Sequence, residues 1–291
     1  MLSGLPCSSG AIGLMSNDRN SVQQMFEVLL SAKPWTSDID VLELPWRQEK
    51  FDAIQRRKHD SQGKGGRLVF GIMYTDGHVN PHPSIKRALK LVAEALQRCG
   101  HETVEWKPPS HAPAVENLFK IFGSTSAVEA RGAINASGEP PVAQLKEWYE
   151  KGNVGPSTTS EFWDLCEEQA RYRQEYAAYW QSMGSATRSG RKPDGVILPV
   201  APTTAVRHGE FHYFAYSAIA NALDCPACTI PVTRGHRTGD KATQRSEYVN
   251  RLDETVQKTC KFCNSPNFTT CLIFALQSMP MTCITCQQEY R

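Results

Sequence analysis

Two closely spaced pairs of cysteines near the end of the sequence have the pattern of a metal-binding site. They are separated by residues 264–282, and their members are Cys260, Cys263, Cys283 and Cys286. Four thiolates at this spacing can surround one zinc ion, as in a zinc ribbon. Neither pair is followed by the glycine that usually lets a zinc knuckle turn, and the apolar stretch between the pairs contains no hairpin turn. We therefore predict a poorly ordered tail without metal, with zinc binding as the alternative.

Other cysteines and histidines form weaker patterns. Cys225 and Cys228 make a third pair, for which we predict buried thiols rather than a redox couple. His78 and His82 are four residues apart, but Pro81 prevents the helix that would bring their rings together. We predict no metal site there and no cofactor for the chain. The sequence also contains no Gly-x-Ser-x-Gly nucleophile elbow.

The composition excludes several classes of partner. The chain has 291 residues, of which 40% are hydrophobic and 21% charged, a balance typical of globular proteins. Its net charge of +2 gives no basis for nucleic acid or an anionic membrane as a partner. The most apolar stretch, residues 271–276, is much shorter than the roughly 20 residues that cross a bilayer, and residues 1–6 lack the features of a secretory signal. We expect a soluble, cytoplasmic protein.

The elements that must position any site alternate between helix and strand. The clearest unit is an apolar strand over residues 68–73, a helix that begins at Ser84 and ends at Gly100, and a second strand over residues 103–106. A helical crossover of this kind joins parallel strands of one sheet.

The rest of the chain continues the alternation. We predict a helix capped by Asn17 or Asp18 that ends near Pro34, and polar loops over residues 53–67, 132–141 and 188–193. Further helices are predicted over residues 113–122, 161–183 and 213–223, and further strands over residues 195–198 and 229–232. This pattern favours an α/β fold with a mixed β-sheet flanked by helices.

Four segments carry a resemblance to a known family. Residues 70–83, 99–106, 193–203 and 216–227 resemble, in this order, the strands, helices and proline-rich turns of the amidase-signature family, in its fungal acetamidase-like branch. Near the start, Gly13-Leu14-Met15-Ser16 lies where the family often has Gly-Pro-Met and a small residue. We therefore expect a partial amidase-signature domain over residues 1–255, followed by an unrelated, cysteine-rich and poorly ordered tail over residues 256–291.

The resemblance implies hydrolysis of the C–N bond of small carboxamides to carboxylate and ammonia. The family uses a serine nucleophile, a second serine in a cis peptide and a lysine, and these residues precede the region that matches here. Ser8-Ser9-Gly10 is the one comparable string, but it lacks a glycine-rich run before it and a lysine on a preceding strand, so we predict a polar turn. We assign no catalytic residue and expect a truncated amidase that is inactive alone.

The turn around Pro202 and Thr203 is the candidate substrate-binding element, because the ends of strands commonly line pockets in α/β proteins. The expected partner is a small amide, bound once the upstream segment completes the site. Two alternatives stay open: a non-catalytic remnant of an amidase that binds a partner or ligand, and a zinc-binding tail module fused to it.

Overall fold

The computed structural model describes residues 13–39, 41–59, 67–125, 128–140, 142, 146, 156–236, 239–240, 247–259 and 270–277. Within these residues, five strands form one mixed sheet with helices on both faces. The strands are β1 (Val69–Ile72), β2 (Glu102–Glu105), β3 (Gly195–Pro199), β4 (Ala227–Arg234) and β5 (Thr270–Gln277). The helices are α1 (Arg19–Ser31), α2 (Gln48–His59), α3 (Pro83–Arg98), α4 (His111–Gly123), α5 (Val128–Ser137), α6 (Thr159–Ser182), α7 (Ala215–Leu223) and α8 (Arg251–Thr259).

The sheet has the strand order β2-β1-β3-β5-β4. Strand β1 is parallel to both β2 and β3, which confirms the predicted crossover through α3. Strand β5 is antiparallel to both β3 and β4. The sheet is therefore mixed, as predicted from the alternation of elements.

Strand β5 lies within the predicted cysteine-rich tail. Its backbone lies between β3 and β4, where Phe274 pairs with Leu198 on one side and with Thr229 on the other. Residues 270–277 contain an apolar stretch without glycine or proline, and their length and their isoleucine, leucine and phenylalanine residues are typical of a central strand. Sequence patterns do not reveal which distant strands such a run joins. Helix α8 also runs across residue 255, where the domain boundary is predicted.

Alternating residues of the sheet divide the core between its two faces. Phe70 and Ile72 of β1 pack on one face against the apolar side of α3, including Ile85 and Leu89. On the opposite face, Val196 and Leu198 of β3 pack against α4, α6 and α7 in a cluster that includes Trp106. The sheet is thus covered on both sides, as expected for parallel strands.

Several predicted boundaries change in the structure. The polar residues 53–59 belong to α2, and residues 132–137 belong to α5, because lysine, arginine, glutamine and alanine are good helix formers even where few apolar residues mark a buried face. Helix α3 begins at Pro83, with His82 rather than Ser84 at its N-cap. Asp18 caps α1 as predicted, by accepting a hydrogen bond from the backbone of Ser21. None of the described helices is both long enough and apolar enough to cross a membrane.

Candidate functional site

The carboxyl ends of β1 and β3 lie side by side in the sheet. From the end of β1 the chain passes through α3 to β2, whereas from the end of β3 it passes through α7 to β4 on the opposite side. Adjacent strands whose connections leave in opposite directions create a crevice between their carboxyl ends, and ligands of open α/β sheets commonly bind there. The loops after β1 and β3 therefore form the candidate site.

The turn after β3 contains the predicted residues Pro202 and Thr203. Both are buried, and the backbone N–H of His82 donates to the Pro202 carbonyl at 2.7 Å. The side-chain hydroxyls of Thr203 and Thr204 are buried and have no hydrogen-bond partner within the part of the chain that the structure describes. Buried hydroxyls normally have partners. These two hydroxyls are therefore buried hydrogen-bonding groups at this edge that no described residue satisfies.

The segment after β1 is organised by Asp76, which the sequence analysis did not single out. One carboxylate oxygen accepts from the backbone N–H groups of His78 and Val79, and the other accepts from the Tyr213 hydroxyl at 2.5 Å. The Tyr216 hydroxyl donates to the carbonyl of Val79 at 2.7 Å. Burial, followed by the nearby charge of Asp76, raises the pKa of Tyr213 and Tyr216, so both phenols stay protonated donors. The Asp-Gly turn in the sequence is the signal that marks this loop.

Helix α8 lies against the same segment. The ring Nε2 of His82 lies 2.9 Å from the carbonyl oxygen of Val256, so that nitrogen carries the proton that it donates. The buried carboxylate of Asp253 accepts from the backbone N–H of Asn80 at 2.9 Å. Residues 78–82 are thus held between α8 on one side and the turn after β3 on the other.

A cleft of about 330 Å³ opens beside this segment. Arg87 and Asp240 form an ion pair in its wall, with a distance of 2.7 Å between Nη2 and Oδ2. Burial raises the pKa of Asp240, but hydrogen bonds from Arg87 and from the backbone of His236 outweigh it and keep the pKa below its ordinary value. Pro202 and Thr203 are not among the lining residues, which are Pro81, Pro83, Lys86, Arg87, Lys90, Gly239, Asp240 and Gln257.

The remaining candidates from the sequence are the histidine pair, the cysteine pairs and the serine string. Among the described residues, no group of three or more histidine, cysteine or acidic side chains is arranged to hold a metal ion. His78 stacks on Tyr213. Cys225 and Cys228 are partly rather than fully buried, and burial raises the pKa of the Cys225 thiol. Ser8, Ser9 and the four cysteines of the possible zinc site, Cys260, Cys263, Cys283 and Cys286, lie outside the described residues.

These features define an α/β protein with a mixed sheet and a candidate ligand site at the carboxyl ends of two parallel strands. The family model described as Amidase matches residues 2–241, and the chain belongs to this family. It is 31% identical to an acetamidase of Aspergillus oryzae over 245 residues, which cover 84% of this chain and 44% of the relative. An acetamidase of Emericella nidulans is 30% identical over 247 residues, which cover 85% of this chain and 44% of the relative.

The fold of this chain is similar to part of a solved structure. Fatty acid amide hydrolase superposes with a TM-score of 0.78 at 21% identity, over 94% of this chain and 46% of that protein. The resemblance identified from sequence segments is therefore confirmed at the level of family and fold. The chain spans less than half the length of each of these relatives.

Proposed function

We propose that this chain forms the carboxyl-terminal part of an acetamidase-like amidase, which hydrolyses the C–N bond of small carboxamides to carboxylate and ammonia. The similarity to two acetamidases over more than four fifths of the chain supports this substrate class. We also propose that the protein is cytoplasmic and that its partner is a small amide, as expected from the sequence.

The observation that carries the proposal is the pair of unpartnered, buried hydroxyls at the carboxyl end of β3. A carboxamide has an N–H donor and a carbonyl acceptor, and a threonine hydroxyl can bond to either. We propose that Thr203 binds the amide group of the substrate while Pro202 forms the apolar wall beside it. The bond between His82 and Pro202 holds this turn in place.

We further propose that the catalytic serines and the lysine lie in an upstream segment and that the chain does not hydrolyse amides alone. This part of the proposal rests on the family resemblance, which implies that the set precedes the region that matches here. This chain matches 44% of each acetamidase, which is consistent with a site built from two parts of a longer protein. In this proposal, the other part supplies the nucleophile and the base, and this part contributes residues that bind the substrate.

Release of ammonia from acetamide and benzamide tests the proposal. We expect no release by the purified chain, and release by a fusion of this chain to the part of the Aspergillus oryzae acetamidase that it does not match. In the fusion, Thr203→Val should raise KM about tenfold, because one hydrogen bond to the substrate, on the order of 1.4 kcal/mol, is lost. Thr203→Ser keeps the hydroxyl and is the matched control.

Turnover by the chain alone would refute the upstream location of the catalytic set, and Ser8→Ala and Ser9→Ala would then locate the nucleophile. A folded fusion without activity would contradict the proposed function. An unchanged KM for Thr203→Val in an active fusion would contradict the role of the turn.

A further inference from the structure

The buried carboxylate of Asp253 is the centre of the contacts between α8 and the segment after β1. Its Oδ1 accepts from the backbone N–H of Asn80 at 2.9 Å, and its Oδ2 accepts from the side-chain amide of Asn80 at 3.3 Å and from the backbone N–H of Val249 at 3.1 Å. Asp253 is fully buried. A buried carboxylate that satisfies several amide donors is costly to replace, because each donor loses its partner when the acceptor is removed.

Helix α8 and Asn250, the residue immediately before it, hold the neighbouring residues of the same segment as well. The side-chain amide of Gln257 donates to the carbonyl of Asn80 at 2.5 Å, and that of Asn250 donates to the carbonyl of His78 at 2.8 Å. The His82 ring bonds to the carbonyl of Val256. Residues 78–82 are therefore attached at His78 to Asn250, and at Asn80 and His82 to α8.

Residues 78–82 also contact the turn that follows β3. The backbone N–H of His82 donates to the Pro202 carbonyl at 2.7 Å. Pro81 and Pro83 flank His82, and the fixed φ of proline restricts the backbone on both sides of it. A displacement of Asn80 is therefore passed along a stiff peptide to the bond with Pro202.

We propose that Asp253 is a positioning residue for the turn at Pro202 and Thr203. It acts through Asn80 and His82 and sets where the Thr203 hydroxyl lies relative to the substrate. This role rests on the substrate-binding function proposed for that turn. Asp253 and α8 lie beyond residue 241, where the match to the family model ends, so the proposal adds α8 to the elements that position this turn.

Hydrogen exchange of the 291-residue chain tests the coupling without requiring activity. In Asp253→Asn, the amides of His82 and Thr203 should exchange at least tenfold faster, while amides of β2 and α6 keep their rates. The matched control is Glu254→Gln, which removes the same charge from the same turn of α8, where the carboxylate pairs with exposed Lys258 at 2.7 Å. Unchanged rates at His82 and Thr203, or an equal increase across the whole chain, would overturn the proposal.

A kinetic readout separates positioning from a general structural role. In the form that hydrolyses acetamide, Asp253→Asn should raise KM about tenfold while kcat changes less than twofold, because a displaced substrate wall weakens ground state and transition state alike. Glu254→Gln should change neither constant. A loss confined to kcat would refute the positioning role. If no form hydrolyses acetamide, the proposed function fails, and the exchange rates still decide the coupling between Asp253 and the turn.

Discussion

The Thr203 and Asp253 side chains are both buried polar groups, but their hydrogen bonding differs. Asp253 satisfies donors from Asn80 and Val249 and thereby ties two parts of the chain together. The Thr203 hydroxyl has no partner among the described residues. Because an unpaired buried hydroxyl is unfavourable, the structure maintains this group at some cost to stability. Such a cost is common where a residue serves binding rather than folding.

Gly71 of β1 lies directly against the ring of Trp106. A Cβ atom at this position would lie 2.7 Å from Cε3 of Trp106. The ring cannot easily move, because its Nε1 donates to the Tyr176 hydroxyl and the ring of Trp180 packs edge-on against it. Gly71→Ala should lower the free energy of unfolding by about 1–3 kcal/mol in urea denaturation.

The control for this substitution is Gly132→Ala in α5, where an added Cβ meets no atom within 4 Å. It should leave stability unchanged or raise it slightly, because alanine favours a helix over glycine. Equal stability of Gly71→Ala and the parent chain would show that Trp106 does not hold its position against β1.

The buried imidazole of His111 predicts a specific loss of stability in acid. Both ring nitrogens lack partners among the described residues, and burial lowers the pKa of His111 to about 4. The unfolded chain, with a pKa of about 6.5, binds the proton more readily. Stability from this group is therefore complete above pH 6.5 and falls as the pH drops from 6.5 towards 4.

Between pH 7 and pH 5, the parent chain should lose about 2 kcal/mol more free energy of unfolding than His111→Leu. Urea denaturation at the two pH values measures this difference. His208→Leu, which removes an exposed histidine instead of a buried one, is the matched control. The same slope in His111→Leu and the parent would show that His111 is not the group responsible.

At the scale of elements, the site is assembled from pieces with different sequence signals. The unit β1-α3-β2 was predictable, because an apolar strand, an amphipathic helix and a glycine at its end follow one another directly. Helix α8 and strand β5 were not assigned as elements. Their roles depend on pairing with distant residues, such as Asn80 for Asp253 and Val196 for Leu276, and no local pattern encodes such a partner.

The central position of β5 can be tested with proline. Leu276 pairs with Val196 of β3 and with Ala227 of β4, so its backbone lies inside the ladder. Leu276→Pro removes a backbone donor from a central strand and should cost on the order of 3 kcal/mol of unfolding free energy. Leu276→Met retains the backbone N–H and a similar volume, and should cost less than about 1.5 kcal/mol. Similar losses for both variants would be inconsistent with a paired backbone at this position.

For the whole molecule, the sequence identified the family and fold class from four segments, and the comparisons confirm both. It also placed Pro202 and Thr203 just after a strand, and in the structure they follow β3, where the Pro202 carbonyl accepts from the backbone N–H of His82. It did not identify Asp76 or Asp253. Carboxylates that organise loops through backbone N–H groups have no fixed spacing, so their importance becomes visible only when the loop is folded.

The insertion of β5 between β3 and β4 has a consequence for the order in which the molecule can be built. During synthesis, β4 leaves the ribosome before β5, the strand that it pairs with among the described residues. Until β5 has emerged, β3 also presents an unpaired edge. Closure of this half of the sheet is therefore a late, long-range event, and such events are slow because the entropy of closing a long loop is lost before the contacts form. Unpaired strand edges are general sites of aggregation, so this interval is the one in which the nascent chain is most exposed to it.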